Sequence, residues 1–365
     1  MSDTYRRYRA IRTALMQCFG PLKGHPMRHL NTLVALICGI IGARHVHLSK
    51  VADHAPAPGI LQESLIMRMR RWLQNKNVTW ETYMMPVARE LLQALAHEPL
   101  VLVIDGTTVG RGCMVLMVSV VYGHRALPLA WVVQRRKKGH FPQKMHCALL
   151  AQVVPLIPPD ATVYILGDGE FDGVEWLAEV EAQGWHYVCR TSPSLLMTAF
   201  DHQFAIGEVP LAPGQAWYCP DARFTSQEYG PLMLIGCWEE GEESPLYLLT
   251  NLSSPEEAVT LYEKRALIET FFSDQKERGF HIQASHLYVP ERLERLLMAT
   301  ALAYIWVVYL GVHALAPPWQ RRVHRGDRCD LSLFQLGMRL LAYCLKENFP
   351  IPKGFLPTLP VPLTA

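Results

Sequence analysis

The sequence predicts an α/β fold: a mixed sheet flanked by helices and interrupted by a β-rich insertion, behind a helical N-terminal domain. Three observations predict it. Before residue 96 the apolar residues recur only at helical spacing. After it, short apolar runs alternate with helical stretches, and the first three of these runs follow one another with only turn residues between them. Of the 365 residues 50% are hydrophobic, enough to bury the cores of two or three domains.

Residues 1–95 read as four helices, Thr4–Phe19, Met27–Ile41, a stretch near Gly59–Asn75 and Trp80–Ala96, punctuated by "GPLKGHP" and "APAPG". This head carries 13 Lys/Arg against 5 Asp/Glu, whereas the remainder carries 22 against 28, so a net charge of +2 conceals a basic head on an acidic body. Such a head suits an anionic partner, and "RRYRAIR" (Arg6 to Arg12) and "RMRRW" (Arg68 to Trp72) are amphipathic basic candidates for DNA contact. From residue 98 the run "LVLVID" is a strand ending in Asp105, followed by "CMVLMVSVVYG" and "RALPLAWVV", a meander turning at Gly123. A helix Pro142–Val154, a fourth strand "ATVYILGDG" ending at Asp168, a helix Val174–Gln183 and a fifth strand "HYVCRTS" complete the unit. Strand-like pieces and turns over 193–246 read as the insertion, and "LYLLTN" re-enters the core before a helix whose start is marked by Ser253 or Ser254, Pro255 and Glu256. This order is RNase H-like, with boundaries at 1–95, 96–192, 193–246, 247–318 and 319–365.

The helix after residue 255 carries the most information. "LYEKRALIETFFSDQKERG", residues 261–279, holds eight charged side chains in nineteen positions. With about 100° per residue, Tyr262, Arg265, Glu269 and Lys276 share an arc of roughly 60°, while Asp274 falls on another face. The plain alternative is a solvated face with an Arg265–Glu269 pair, which contributes only about 0.3–0.5 kcal/mol. Asp105 and Asp168 alone could equally be turn caps. Together with Glu269, two aspartates at neighbouring strand ends make a three-carboxylate cluster. Carboxylates this close repel unless cations share the site, and hard oxygen ligands suit Mg²⁺ or Mn²⁺, two of which can drive an in-line phosphoryl displacement. Arg265 and Lys276 could then hold phosphates and Tyr262 a phosphate or a sugar.

Asp105, Asp168 and Glu269, with Tyr262-x2-Arg265-x3-Glu269-x6-Lys276, resemble the DDE transposases of bacterial insertion sequences, in the group defined by that Y-R-E-K signature. The resemblance covers roughly residues 98–310. It implies cut-and-paste transposition of double-stranded DNA with two Mg²⁺ ions per site, Mn²⁺ substituting: a nick at the transposon end, a hairpin, and strand transfer into target DNA. It also implies a homodimer that brings two ends together, and an aromatic residue of the insertion accommodating a flipped base, for which Trp217 and Trp238 lie in the matching region. The 63 positions between Asp105 and Asp168 are few for the group, and Asp172 in "GDGEFDG" is an alternative second carboxylate. An RNase H-like nuclease without strand transfer and a DNA-binding relative with a decayed core are the rival readings.

Other features bear on location and partners. The run Arg135, Arg136, Lys137 and Lys138 in "QRRKKGHF" follows the third strand and is expected to contact phosphate. "RRVHRGDRC", Arg321 to Cys329, reads more simply as a flank of the preceding helix. Nine cysteines without a C-x-x-C pair read as reduced core residues, no secretory signal opens the chain, and a cytoplasmic, nucleoid-associated protein is expected, for which the sequons at Asn77 and Asn251 carry no meaning. Leu296–Ala316 is long and apolar enough to span a bilayer but is read as a buried helix, so no membrane partner is expected. "IDGTTVGRG" lacks the Lys-Ser/Thr of a phosphate-binding loop, which disfavours nucleotide hydrolysis.

Overall fold

The computed structural model describes residues 2–57, 59–137, 139–199, 202–324 and 330–357. Six helices open the chain: α1 (Asp3–Leu15), α2 (Gly24–Ala43), α3 (Leu48–Asp53), α4 (Gln62–Gln74), α5 (Trp80–Tyr83) and α6 (Met85–Leu95). The Ser2 hydroxyl accepts from the Tyr5 amide and so caps α1. Two of the basic residues assigned above to DNA contact are spent inside the protein. Arg6 donates to the carbonyls of Leu345, Cys344 and Phe349, and buried Arg7 donates to those of Cys38 and His54. Orphan carbonyls at a helix end need such donors, and this need claims Arg6. On α4, Arg68, Arg70 and Arg71 are exposed while Trp72 is buried, its indole donating to the His29 carbonyl.

The β-branched and apolar runs build one ten-stranded sheet. Its strands are β1 (Leu100–Val109), β2 (Cys113–Tyr122), β3 (Arg125–Gln134), β4 (Val163–Gly167), β5 (His186–Arg190), β6 (Leu196–Ala199), β7 (His202–Ala205), β8 (Gln215–Phe224), β9 (Tyr229–Trp238) and β10 (Leu246–Thr250), in the order β3-β2-β1-β4-β5-β10-β9-β8-β6-β7. β1, β4 and β5 run parallel, joined by α7 (Gln143–Val153) and α8 (Val174–Ala182), and the other pairings are antiparallel. The first five strands have the expected RNase H-like order. The β-rich stretch is not a separate body, however. Met233–Cys237 of β9 pair with β10, and β8, β6 and β7 follow outward, so the insertion lengthens the core sheet. An unpaired edge on β10 would expose backbone donors and acceptors, and β9 satisfies them.

The helix expected over residues 262–276 is broken. α9 (Pro255–Glu263) gives way to a tighter 3₁₀ turn at Lys264–Ala266, and α10 (Leu267–Gln275) stops before Lys276, whose φ of −91° and ψ of −107° are not helical. The apolar stretch near residue 300 is a core helix: α11 (Pro290–Ala314) packs on β3, α2 and α4, and 94% of its most apolar window is buried. α2 is also long and apolar enough to cross a membrane, and 61% of its corresponding window is buried. Two further helices, α12 (Gln320–Val323) and α13 (Leu333–Lys346), follow, with α13 along α11. Of the basic C-terminal run, Arg322 lies over the Phe349 ring at 4.9 Å, and residues 325–329 lie outside the described residues.

The α11–α13 crossing depends on two glycines. A Cβ at Gly311 would come within 1.9 Å of the Leu333 carbonyl oxygen, and one at Gly337 within 1.9 Å of that of Val307. Gly337→Ala should therefore destabilise the protein by about 1–3 kcal/mol in denaturant melts, despite the gain in helix propensity. Unchanged or raised stability would mean that the helices are not in backbone contact.

Candidate active site

Asp105 is not at the end of its strand, as expected from the apolar run, but at mid-strand opposite Met117, because β1 continues to Val109 in a hairpin with β2. What ends near Asp105 is the parallel neighbour. Leu100 pairs with Val163 and Val103 with Leu166, and this offset carried two steps further sets Asp105 beside Asp168, just past the last residue of β4. The short spacing noted in the sequence is this register. Adjacent strands lie about 4.8 Å apart, so the two carboxylates are forced into each other's field.

Burial, first, and Asp168, second, push the Asp105 carboxyl up to about 6, and Glu269 adds in the same direction. Arg265 and the Gly106 amide oppose them: the guanidinium donates to Asp105 Oδ2 at 3.3 Å and the amide to Oδ1 at 2.6 Å. A carboxyl displaced this far is destabilised by roughly 3 kcal/mol in its charged form. That outweighs anything an exposed ion pair supplies. Arg265 also donates to Glu269 Oε1 at 3.0 Å, so one guanidinium serves two carboxylates. The Asp168 carboxylate accepts from the Glu170 amide at 2.9 Å. Asp172 is engaged elsewhere, its carboxylate accepting from the Thr191 hydroxyl at 2.7 Å.

The break in the helix decides where the remaining signature residues go. Tyr262, on α9, is half-buried; burial pushes its hydroxyl up to about 12, while Arg265 and Arg190 pull it down. Lys276, released from α10, donates to the Thr107 hydroxyl at 2.6 Å, two residues along β1 from Asp105. Burial lowers its pKa and Asp105 raises it. The structure thus groups Tyr262, Arg265, Glu269 and Lys276 around β1 and β4 although they no longer share one helical face. Sequence reading missed Arg190, Thr107 and Glu170. Arg190 ends β5 next to the Asp168 strand, and the end of an apolar run in a cation was its only signal.

The basic loop is carried to the same place by Phe141. The Glu170 carboxylate accepts from the Phe141 amide and lies 3.2 Å from both His140 and His146, and the Phe141 ring lies against Gly106, where a Cβ would meet it at 3.2 Å. Arg136 sits over Phe141 and Arg135 over Tyr288, each at 5.8 Å, and Lys137 is exposed; Lys138 lies outside the described residues. Trp217 and Trp238 are not brought to the carboxylates by any contact described. The Trp217 ring covers Gly236, and the Trp238 indole donates to the Glu242 carbonyl at 2.9 Å, both within the sheet extension.

A family model described as "Transposase DDE domain" matches residues 96–306, the span that holds β1 to β10 and the broken helix. The chain belongs to the DDE transposase family. Membership makes it an enzyme of cut-and-paste DNA transposition, one that cuts and joins DNA strands. No curated protein matches the transposase. Among solved structures it is similar to a piggyBac transposase synaptic complex with hairpin DNA, at 10% identity and a TM-score of 0.47 over 95% of this chain and 80% of that one.

DDE transposases use divalent metal ions, and the transposase offers a donor set for them. All its candidate ligands are hard oxygens, and Asp105 is held in a field short of positive charge. Among the described residues no three acidic or imidazole groups converge closely enough to ligate one ion as they stand, and Glu269 is paired with Arg265. The oxygen donors of Asp105, Asp168 and Glu269 are of the type a hard divalent cation takes.

α10 is held against the sheet by buried Asp274, which pairs with Arg125 of β3 at 3.1 Å. Burial, outweighing Arg125, pushes Asp274 up to about 6. Removing the partner with Arg125→Met should destabilise the transposase by roughly 3 kcal/mol at pH 8. An acid whose folded pKa is raised destabilises the fold above that pKa, and the penalty is relieved as pH falls through it. Denaturant melts at pH 5 should therefore show a clearly smaller loss. An equal loss at both values would place the damage outside Asp274.

Proposed function

We propose that Asp105, Asp168 and Glu269 form the catalytic carboxylate set of this transposase and hold two Mg²⁺ ions, with Mn²⁺ able to substitute. The observation that carries this reading is the strand register that sets Asp105 beside Asp168, together with the Arg265 guanidinium that joins Asp105 to Glu269. When bound, the ions would activate the attacking oxygen and stabilise the leaving oxygen of an in-line phosphoryl displacement.

The chain's own groups do the positioning. Arg265 turns from Asp105 and Glu269 to a non-bridging oxygen of the scissile phosphate, which would leave the two carboxylates free to hold the cations. Lys276, anchored on Thr107, supplies a second cation along the strand, and Tyr262 stays protonated near neutral pH and donates a hydrogen bond. Arg135, Arg136, Lys137 and Lys138 hold the flanking backbone, with Arg190 beyond Tyr262. In the first displacement water bonds to phosphorus as the 3′ oxygen leaves and takes a proton. The resulting 3′ hydroxyl attacks the opposite strand to close a hairpin, which is reopened before the end is joined to target DNA. Each step exchanges one P–O bond for another, so one site serves all of them. Two ends require two sites, which supports a homodimer in the synaptic complex, acting on bacterial DNA in the cytoplasm.

Incubation with Mg²⁺ and a duplex bearing the element's own end, read on a denaturing gel, tests this. Glu269→Ala, Asp105→Asn and Asp168→Asn should each lower nicking by roughly 10³-fold or more with binding intact. Asp172→Asn should nick normally; if it alone fails while Asp168→Asn cuts, the second carboxylate is Asp172. Cleavage by Glu269→Ala equal to wild type refutes the assignment.

Metal binding is expected to show without DNA. Because an ion that binds only the folded state adds RT ln(1 + [L]/Kd), or about 2.7 kcal/mol at a hundredfold excess over Kd, Mn²⁺ should raise the melting temperature by several degrees. Asp105→Asn should abolish the rise, and a rise that survives it would place the ion elsewhere.

A further inference from the structure

Four imidazoles form a chain across the junction between the N-terminal helices and the segment that leaves α10. His281 stacks on His45 with ring centroids 5.5 Å apart, His45 lies 6.3 Å from His47, and His47 lies 6.4 Å from His286. His45 and His47 come from the turn between α2 and α3, and His281 and His286 bracket the 3₁₀ turn Ile282–Ser285. Both of the latter are left-handed, with φ of 54° and 56°, a conformation unfavourable for an ordinary residue that persists only when its surroundings enforce it. Here they do. The His281 amide donates to the Lys276 carbonyl at 2.8 Å, the Gln283 side chain to the Thr108 carbonyl at 3.1 Å, and the Arg111 amide to the Leu287 carbonyl at 2.8 Å.

Two of the rings have their tautomer set. The Arg111 guanidinium donates to His286 Nδ1 at 2.9 Å and the His47 amide to His45 Nδ1 at 2.9 Å, which leaves Nε2–H as the donor on each. Burial, first, and then Lys50 and the neighbouring rings disfavour a proton on His45, so its surroundings attract an anion. His47, His281, His286 and Arg111 are all exposed. The strip continues to Tyr288, exposed beneath Arg135 of the basic loop, and begins at the turn that Lys276 opens.

Resting on the active-site reading above, we propose that this strip, Arg111 with His45, His47, His281 and His286, binds successive phosphates of duplex DNA on its way out of the active site. The imidazoles act as N–H donors and Arg111 as the fixed charge, so contact is made to backbone rather than to base edges. As the rings belong to two parts of the fold, DNA lying on them also ties the N-terminal helices to the catalytic hairpin.

The full-length protein in EDTA, titrated against a fluorescent duplex of arbitrary sequence across a series of salt concentrations, tests this by anisotropy. Arg111→Gln/His286→Gln and His45→Gln/His281→Gln should each weaken binding about tenfold, and the first, which removes the Arg111 charge, should also flatten the dependence of log K on log salt by roughly 0.9 per phosphate lost. Arg339→Gln, removing an exposed cation on α13, should change neither. Unaltered affinity and slope in both double variants overturn the proposal. Should a double variant melt early, Arg111→Gln alone decides by the same criteria. If inorganic phosphate shifts the imidazole NMR signals while duplex binding is unchanged in the variants, the strip is an anion site and its assignment to DNA fails. The two readings fail separately: variants that bind normally, in a protein that nicks its end, refute the strip, and lost binding in a protein that never nicks refutes the active site.

Discussion

Two carboxylates set side by side by the parallel register of β1 and β4 are the constraint around which the rest of the site is arranged. The ladder of β1 with β2 fixes Asp105, Asp168 follows directly on the last residue of β4, and burial denies Asp105 the solvent that would screen it. The fold meets this with one guanidinium. Arg265 reaches Asp105 because the helix ahead of it tightens into a 3₁₀ turn, and it reaches Glu269 because α10 begins one residue after that turn. The electrostatic tension at Asp105 is what the proposed exchange of Arg265 for metal and phosphate would relieve.

Rigidity comes from the other side of the sheet. α11 is buried along most of its length and touches β3, α2, α4 and α13, so the N-terminal helices and the C-terminal tail share one core with the catalytic sheet. The free edge of β3 is closed by side chains: Glu294 accepts from the Val133 amide, and the Trp80 indole donates to the Leu129 carbonyl. An edge strand left open would recruit another chain, and these contacts remove part of that invitation. They also explain why Glu294, a half-buried acid near the start of α11, is needed there. The basic head is in consequence less available to DNA than its charge suggests, since its first cluster holds the head to the tail through Arg6.

Much of the fold was legible in the sequence because its signals are local. Strand runs, helix periodicity, the Ser254-Pro255-Glu256 helix start and the glycine turns each depend on a few neighbouring residues, and the order of the first five strands follows from them. The spacing of Tyr262, Arg265, Glu269 and Lys276 was equally visible. Its geometric explanation was not: ideal helical angles placed all four on one face, whereas the chain tightens at Arg265 and leaves the helix at Lys276, and both departures respond to contacts with β1 that lie more than 150 positions away.

What the sequence alone determined is therefore the inventory: three acidic residues, their cationic companions, and the strands and helices that carry them. Only the tertiary structure decided that Asp105 sits in mid-strand beside Asp168, that β6 to β9 lengthen the core sheet, that Arg6 and Arg7 are consumed by carbonyl groups, and that histidines 234 to 241 positions apart share a surface with Arg111. The physical reason is the same in each case. Register, edge pairing, burial and the satisfaction of orphan backbone groups are properties of surfaces that meet in space, and no local pattern of residues encodes which surface will be there.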